Sequence, residues 1–162
     1  MRRSEVFAPK LGVSDVSRPV PRTAQLVYSR DDSLQSDASA KARVLIVEDD
    51  FLVGSQIEAA LSDAGFEVIG VAQSADEAIA FAAESNPQLV VMDIRLSGPK
   101  DGVDAAVQLY SDHGIRCVFA TAHSDIDVRR RAEAANPLGW IQKPYSMRAL
   151  VDAVRHGLDK AG

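Results

Sequence analysis

Four apolar runs in this chain end in groups able to do chemistry. VLIV (44–47) runs into Glu48, Asp49 and Asp50, LVVM (89–92) ends at Asp93, CVFA (117–120) ends at Thr121, and LGWIQ (138–142) is followed by Lys143 and Pro144. Another such run, FEVIGVA (66–72), leads only to Gln73 and Ser74. Carboxylates held close together raise one another's pKa, so a cluster of them is costly until a cation neutralises it. A hard divalent ion bound through oxygens is the natural remedy, and Mg²⁺ is typically held by one or two carboxylates together with a phosphate oxygen. Asp49 and Asp93 fit as direct ligands, with Glu48 acting through water. A phosphoryl group arriving at Asp93 would meet Mg²⁺, the Lys143 ammonium and the Thr121 hydroxyl, all of which stabilise its equatorial oxygens. Asp93 is the nucleophile of that scheme, since carboxylates form aspartyl phosphates. Asp50, at the start of a helical pattern, reads more simply as a helix cap.

These groups can act together only if the elements carrying them converge. After VLIV, residues Val53, Ile57, Ala60, Leu61 and Ala64 recur at helical spacing and stop at Gly65. FEVIGVA is a second strand, and Ser74 with Glu77 makes a capping box for a helix that turns Ala78, Ile79 and Ala82 inward. LVVM is a third strand, followed by a helical face of Val103, Ala106, Val107 and Tyr110. CVFAT (117–121) is a fourth, and Ser124 caps a helix with a thin apolar stripe in RRRAEAA (129–135), which predicts loose packing. LGWIQ is the fifth, and Ser146 caps a last helix with Met147, Leu150, Val151, Val154 and Leu158 facing the core. Unbroken apolar strands alternating with helices predict a doubly wound, five-stranded parallel sheet covered on both faces. Ligands of such sheets bind at the carboxyl ends of the strands, where the acids and the lysine lie.

Composition bounds the remaining choices. The chain has 162 residues, 46% hydrophobic and 25% charged, ordinary for one globular domain with a real core. Residues 1–42 carry seven Lys or Arg against five Asp or Glu, whereas residues 43–162 carry 11 against 18. The first segment is rich in Ser, Asp, Arg and Pro and lacks periodicity, so it reads as a disordered N-terminal extension with QLVY (25–28) as its apolar patch. Residues 43–162 form the folded domain. The single Cys117 sits in an apolar run and reads as a buried thiol in a reducing, cytoplasmic setting. No apolar stretch approaches the roughly 18 residues of a membrane span. Arg2 and Arg3 precede no apolar region of an export signal. The acidic folded part, net −7, argues against direct nucleic-acid binding, and Arg129, Arg130 and Arg131 read as a solvated helical face.

The ordered set VLIVEDD, VVMDIRL, FATAH and IQKPY strongly resembles the receiver domain of bacterial two-component response regulators, over residues 43–160. The spacing fits the family as well, with 44 residues from Asp49 to Asp93 and 22 from Thr121 to Lys143. The resemblance implies a flavodoxin-like strand order 2-1-3-4-5, a phosphoacceptor at Asp93, and an acidic metal pair at Glu48 and Asp49. The backbone carbonyl of Arg95 would complete the Mg²⁺ shell. Thr121 would follow the phosphoryl oxygen, Lys143 would pair with it from a cis Lys143-Pro144 bond, and Trp140 would change rotamer with Thr121. Trp140 also reads as a core tryptophan. The implied partners are a sensor histidine kinase or a histidine phosphotransfer protein, and a downstream protein target. That target, or a second copy in a phosphorylation-dependent dimer, would meet the face formed by helix four, strand five and helix five.

The family's chemistry is self-phosphorylation from a donor and autodephosphorylation rather than turnover of a substrate. Phe119-Ala120-Thr121 is similar to a subset of stand-alone receivers reading Phe-Ala-Thr-Gly-Tyr, from which Ala122 and His123 depart. The chain ends after its fifth helix, which reads as a receiver acting through a separate protein. His123 and Arg95 occupy positions that in this family influence phosphate lifetime, so an unusual lifetime is expected. A phosphatase of the haloacid dehalogenase type also places an aspartate nucleophile after a parallel strand, but it requires a second acid two residues later, where this chain has Arg95. A degenerate receiver that binds partners without being phosphorylated is the remaining alternative.

Overall fold

The computed structural model describes residues 40–122 and 126–162. The QLVY patch, His123 and the Ser124 cap lie outside the described residues, as does the N-terminal extension up to position 39. Strands and helices alternate as β1 (Arg43–Val47), α1 (Phe51–Asp63), β2 (Glu67–Ala72), α2 (Ala75–Ser85), β3 (Leu89–Asp93), α3 (Gly102–His113), β4 (Cys117–Thr121), α4 (Ile126–Ala132), β5 (Gly139–Gln142) and α5 (Met147–Ala161). The five strands form one parallel sheet in the order β2-β1-β3-β4-β5. This is the flavodoxin-like order.

Alternation along the strands divides the core in two. Leu45, Val47, Val90, Met92, Cys117 and Phe119 enter one cluster with Ala78 and Ala82 of α2, Ala106 and Leu109 of α3 and Ala132 of α4. Val44, Ile46, Leu89, Val91, Val118 and Ala120 enter the other, with Ile57 and Leu61 of α1 and Leu150 and Val154 of α5. Both faces of the central strands are covered, so neither alternate position needs to be polar. Hence the continuous apolar runs in the sequence. β3 is buried at all five positions, and its last residue, Asp93, is only 6% exposed. Burial pushes the Cys117 thiol up to about 12, which leaves it without thiolate character at neutral pH.

Helix ends follow local chemistry. Asp50 caps α1 by accepting from the N–H groups of Leu52 (2.9 Å) and Val53 (3.1 Å), as its position predicts. Ser74 accepts from Glu77 N–H at 3.2 Å, but the Glu77 carboxylate accepts from Gln73 N–H at 2.7 Å. The returning half of that capping box therefore lands one residue earlier than expected. α3 carries a complete box that the sequence reading missed, with Asp101 accepting from Asp104 N–H (2.9 Å) and Asp104 from Asp101 N–H (3.2 Å). Leu109 of α3 is also fully buried, although it was absent from the expected face, while Tyr110 is only half-buried.

α4 is short and continues into a single 3₁₀ turn, Glu133–Ala135. Its apolar anchorage among the described residues is slight, with Ala132 and Ala135 buried and Ile126 78% exposed. Arginines supply the rest. The Arg131 guanidinium spans Asp101 (2.9 and 3.2 Å) and Asp104 (2.9 Å) at the start of α3, and Arg129 lies 4.7 Å over the ring of Trp140. Burial alone would raise the Asp101 pKa, but the Arg131 and backbone hydrogen bonds outweigh it and hold that carboxyl below its ordinary value. All three arginines are exposed, as a solvated helical face requires, and two of them also reach neighbouring elements: Arg131 the start of α3 and Arg129 the Trp140 ring. Arg130 pairs with Asp127 one turn away (2.8 Å).

Candidate functional site

The sheet order reverses between β1 and β3, which pair in register from Val44 with Leu89 to Val47 with Met92. The residues immediately beyond that pair are Glu48 and Asp93, so adjacent strands deliver both acids to one spot at the topological switch. Asp49 follows on the same turn. Carboxylate oxygens of Glu48, Asp49 and Asp93 lie within 4.8 Å of one another.

β4 and β5 bring the remaining groups. Asp93 is in register with Ala120, which sets Thr121 one step beyond it, and Thr121 is only 6% exposed. Thr121 pairs with Gln142, and its carbonyl accepts from Lys143 N–H at 2.7 Å. The Lys143-Pro144 bond is cis. Lys143 Nζ reaches Asp93 Oδ2 at 2.8 Å and Glu48 Oε2 at 3.2 Å. Arg95 has an exposed side chain, and its backbone N–H donates to Asp93 Oδ1 at 3.2 Å. Trp140 is half-buried and stacked on Phe119, with ring centroids 4.8 Å apart. The structure thus gathers Glu48, Asp49, Asp93 and Lys143 into direct contact range and sets Thr121 at the adjoining strand end. Trp140 lies on the packed face behind it.

The electrostatics of this pocket are unbalanced. Three carboxylates face one ammonium, with Glu48 and Asp93 buried and Asp49 and Lys143 half-buried. Burial raises the Glu48 pKa and the Asp93 charge raises it further, and the opposing pull of Lys143 does not restore it. Burial disfavours the Lys143 charge, but Asp93 and Glu48 outweigh it and hold the ammonium above the ordinary lysine value. Charging Glu48 therefore costs stability: the contribution of this group is fully present below its ordinary value of 4.5 and is lost as pH rises through the higher folded value. Glu48→Gln should accordingly stabilise the fold at neutral pH, with a gain that shrinks toward zero as pH falls below about 4.5. Urea unfolding of both proteins across that range measures it. A neutral-pH loss of stability would contradict this account.

Three participants were not legible in the sequence. Ser97 donates to Asp49 Oδ2 through both its hydroxyl and its backbone N–H, the latter at 3.1 Å. Gly102 backs onto the end of β3: its N–H donates to Ile94 carbonyl at 2.9 Å, and a Cβ there would stand 1.9 Å from the Asp93 carbonyl oxygen. Tyr145 has a buried hydroxyl without a hydrogen-bond partner among the described residues, and burial raises its pKa. Of these, only Gly102 carried a sequence signal, a glycine directly after the aspartate that caps a helix.

A doubly wound parallel sheet with acids and a lysine gathered at its switch point defines a class of α/β domain, one with a charged site at the carboxyl ends of its strands. Comparison with known proteins gives the family. Residues 44–155 match the response regulator receiver domain, and the chain belongs to that family. It is 34% identical over 119 residues to the transcriptional regulatory protein PdtaR of Mycobacterium tuberculosis, a match covering 74% of this chain and 58% of that one. It is 32% identical over 127 residues to the phyllosphere-induced regulator PhyR of Methylorubrum extorquens, covering 78% and 46%. The chain thus spans about half the length of these curated relatives. Among solved structures, the signal receiver domain of a modulated diguanylate cyclase from Desulfovibrio desulfuricans superposes with a TM-score of 0.69 at 30% identity, covering 75% of this chain and 96% of that one. The response regulator PhyR from Brucella abortus gives 0.63 at 28%, covering 74% and 49%.

Proposed function

We propose that this receiver accepts a phosphoryl group on Asp93 from a sensor histidine kinase or a histidine phosphotransfer protein. The observation that carries the reading is the approach of Lys143 Nζ to Asp93 Oδ2 at 2.8 Å, inside a cluster that Glu48 and Asp49 complete. The P–N bond of the donor phosphohistidine would break, its electron pair returning to the imidazole nitrogen, which takes up a proton. The new bond joins the phosphorus to an Asp93 carboxylate oxygen.

Three close carboxylates with a single ammonium suit a hard divalent cation, and Glu48, Asp49 and Asp93 with the Arg95 carbonyl would hold Mg²⁺. When bound, it would neutralise charge on the transferring oxygens. Lys143 would exchange its bond to Asp93 for one to a phosphoryl oxygen, and Thr121, one step beyond the acceptor's register, would hydrogen-bond another. Phosphorylation adds close to two negative charges at Asp93, so contacts that favour one arrangement of β4 would shift a two-state equilibrium. Trp140 and α4 stand next in line, because Trp140 stacks on Phe119 of β4 and holds Arg129 of α4. The α4, β5 and α5 face would then meet a protein target or a second copy. The chemistry is self-labelling and its reversal, not substrate turnover. The exposed Arg95 stands where a dehalogenase-type phosphatase needs an acid.

The test is incubation with Mg²⁺ and acetyl phosphate, followed by intact mass. The parent is expected to gain one phosphoryl group and Asp93→Asn none. A parent that stays unlabelled here and with phosphohistidine donors would leave only a partner-binding role for the domain. Among the described residues no helix is long and apolar enough to cross a membrane.

A further inference from the structure

Asp49 and Ser97 stand 48 positions apart in the chain, yet two donors from Ser97 converge on a single oxygen of that aspartate. The hydroxyl and the backbone N–H both reach Oδ2, the latter at 3.1 Å. A carboxylate oxygen offers about two lone pairs, so Oδ2 is fully committed. Oδ1 accepts no hydrogen bond among the described residues. Asp49 is only half-buried, and oxygens of the Glu48 and Asp93 carboxylates lie within 4.8 Å of its own. Like charges so close repel, and the two Ser97 donors hold the Asp49 carboxylate against that repulsion.

The segment bearing Ser97 is itself tied down on both sides. Arg95 N–H donates to Asp93 Oδ1 at 3.2 Å, the Lys100 ammonium pairs with Asp76 of α2 at 2.8 Å, and Asp101 is clamped by Arg131 at 2.9 Å. A tethered segment delivers a hydroxyl with less freedom to lose than a floppy one. We infer that Ser97 is a positioning residue for the cation site: it fixes the Asp49 carboxylate so that one oxygen is held by the loop and the other is left for a divalent cation. This rests on the reading that Glu48, Asp49 and Asp93 hold Mg²⁺. The arrangement matches what outer-shell partners of metal-binding carboxylates do, where removal typically weakens metal binding by about 10–100-fold.

The experiment is calorimetric titration of the full chain with MgCl₂ at constant ionic strength, on the parent, Ser97→Ala and Ser97→Thr, with a melting curve of each taken without Mg²⁺. Ser97→Ala is expected to raise the Mg²⁺ Kd about tenfold without changing the metal-free melting temperature, because it removes one exposed hydroxyl. Ser97→Thr keeps the hydroxyl and should bind as the parent does. An unchanged or lower Kd in Ser97→Ala overturns the inference, as does an equal loss in Ser97→Thr. A parent that takes up no Mg²⁺ overturns the cation site together with it. A parent that binds while Ser97→Ala binds equally well overturns only the role of Ser97.

Discussion

Lys143→Ala is expected to lower stability by about 2 kcal/mol at neutral pH in the absence of divalent cations. Removing one partner of a buried ion pair costs about 3–5 kcal/mol, and the lower figure here allows for a lysine side chain that is 29% exposed. The lost group is the only cation within 4 Å of Glu48 and Asp93 among the described residues. Without it three carboxylates repel one another with only neutral donors, from Ser97, Arg95 and Asp50, to offset them. The folded-state pKa of Lys143 is raised, so its contribution is present below the ordinary lysine value of 10.5 and is lost as pH rises through the higher folded one. The penalty should therefore persist across the neutral range. Two additions should relieve it: acid, which protonates the carboxylates, and Mg²⁺, which replaces the missing positive charge. Chemical denaturation at pH 7, with and without MgCl₂, measures both. A variant as stable as the parent, or one indifferent to Mg²⁺, would contradict this charge balance. The same imbalance makes Glu48→Gln stabilising, so the pair of variants tests one cause from opposite sides.

Gly102→Ala is expected to cost about 3 kcal/mol, at the upper end of what overpacking usually costs. The added Cβ would lie 1.9 Å from the Asp93 carbonyl oxygen, 2.9 Å from its carbon and 3.0 Å from Ile94 Cα. All three neighbours are backbone, so no flexible side chain can yield. The first turn of α3 must then move away from β3, or β3 must shift at Asp93 itself. Either motion strains the Gly102 N–H bond to Ile94 and the Asp101 cap that Arg131 holds. The variant should thus melt lower and also accept phosphate from acetyl phosphate more slowly. Gly65→Ala serves as a comparison, since nothing stands within 4 Å of a Cβ there, although its φ of +95° carries a backbone cost of its own. A Gly102→Ala protein with parental melting and labelling would mean that the close approach is not held in solution.

The elements were legible because each obeys a local rule. The central strands are covered on both faces, so VLIV, LVVM and CVFA needed no partner to be recognised. Asp50, Ser74 and Ser146 were readable as caps because an N-cap bonds within its own first turn. α4 was half legible. Its thin apolar stripe was visible, but the arginines that secure it answer to Asp101, Asp104 and Trp140, which lie elsewhere in the chain. Arg131 and Asp101 are 30 positions apart, and nothing local marks them as partners.

Of the site, the sequence by itself determined the cast: which residues end each strand, and that acids, a hydroxyl and an ammonium would be brought to the same edge of a parallel sheet. Parallel strands all point the same way, so their ends must gather on one side. What only the tertiary structure decided is distance and constraint. That Lys143 lies 2.8 Å from Asp93, that Ser97 reaches across to Asp49, and that Gly102 leaves no room behind Asp93 all depend on register between segments far apart in sequence. Register is a property of the packed sheet. No single segment carries it, because it is fixed only when the two cores close on both faces together.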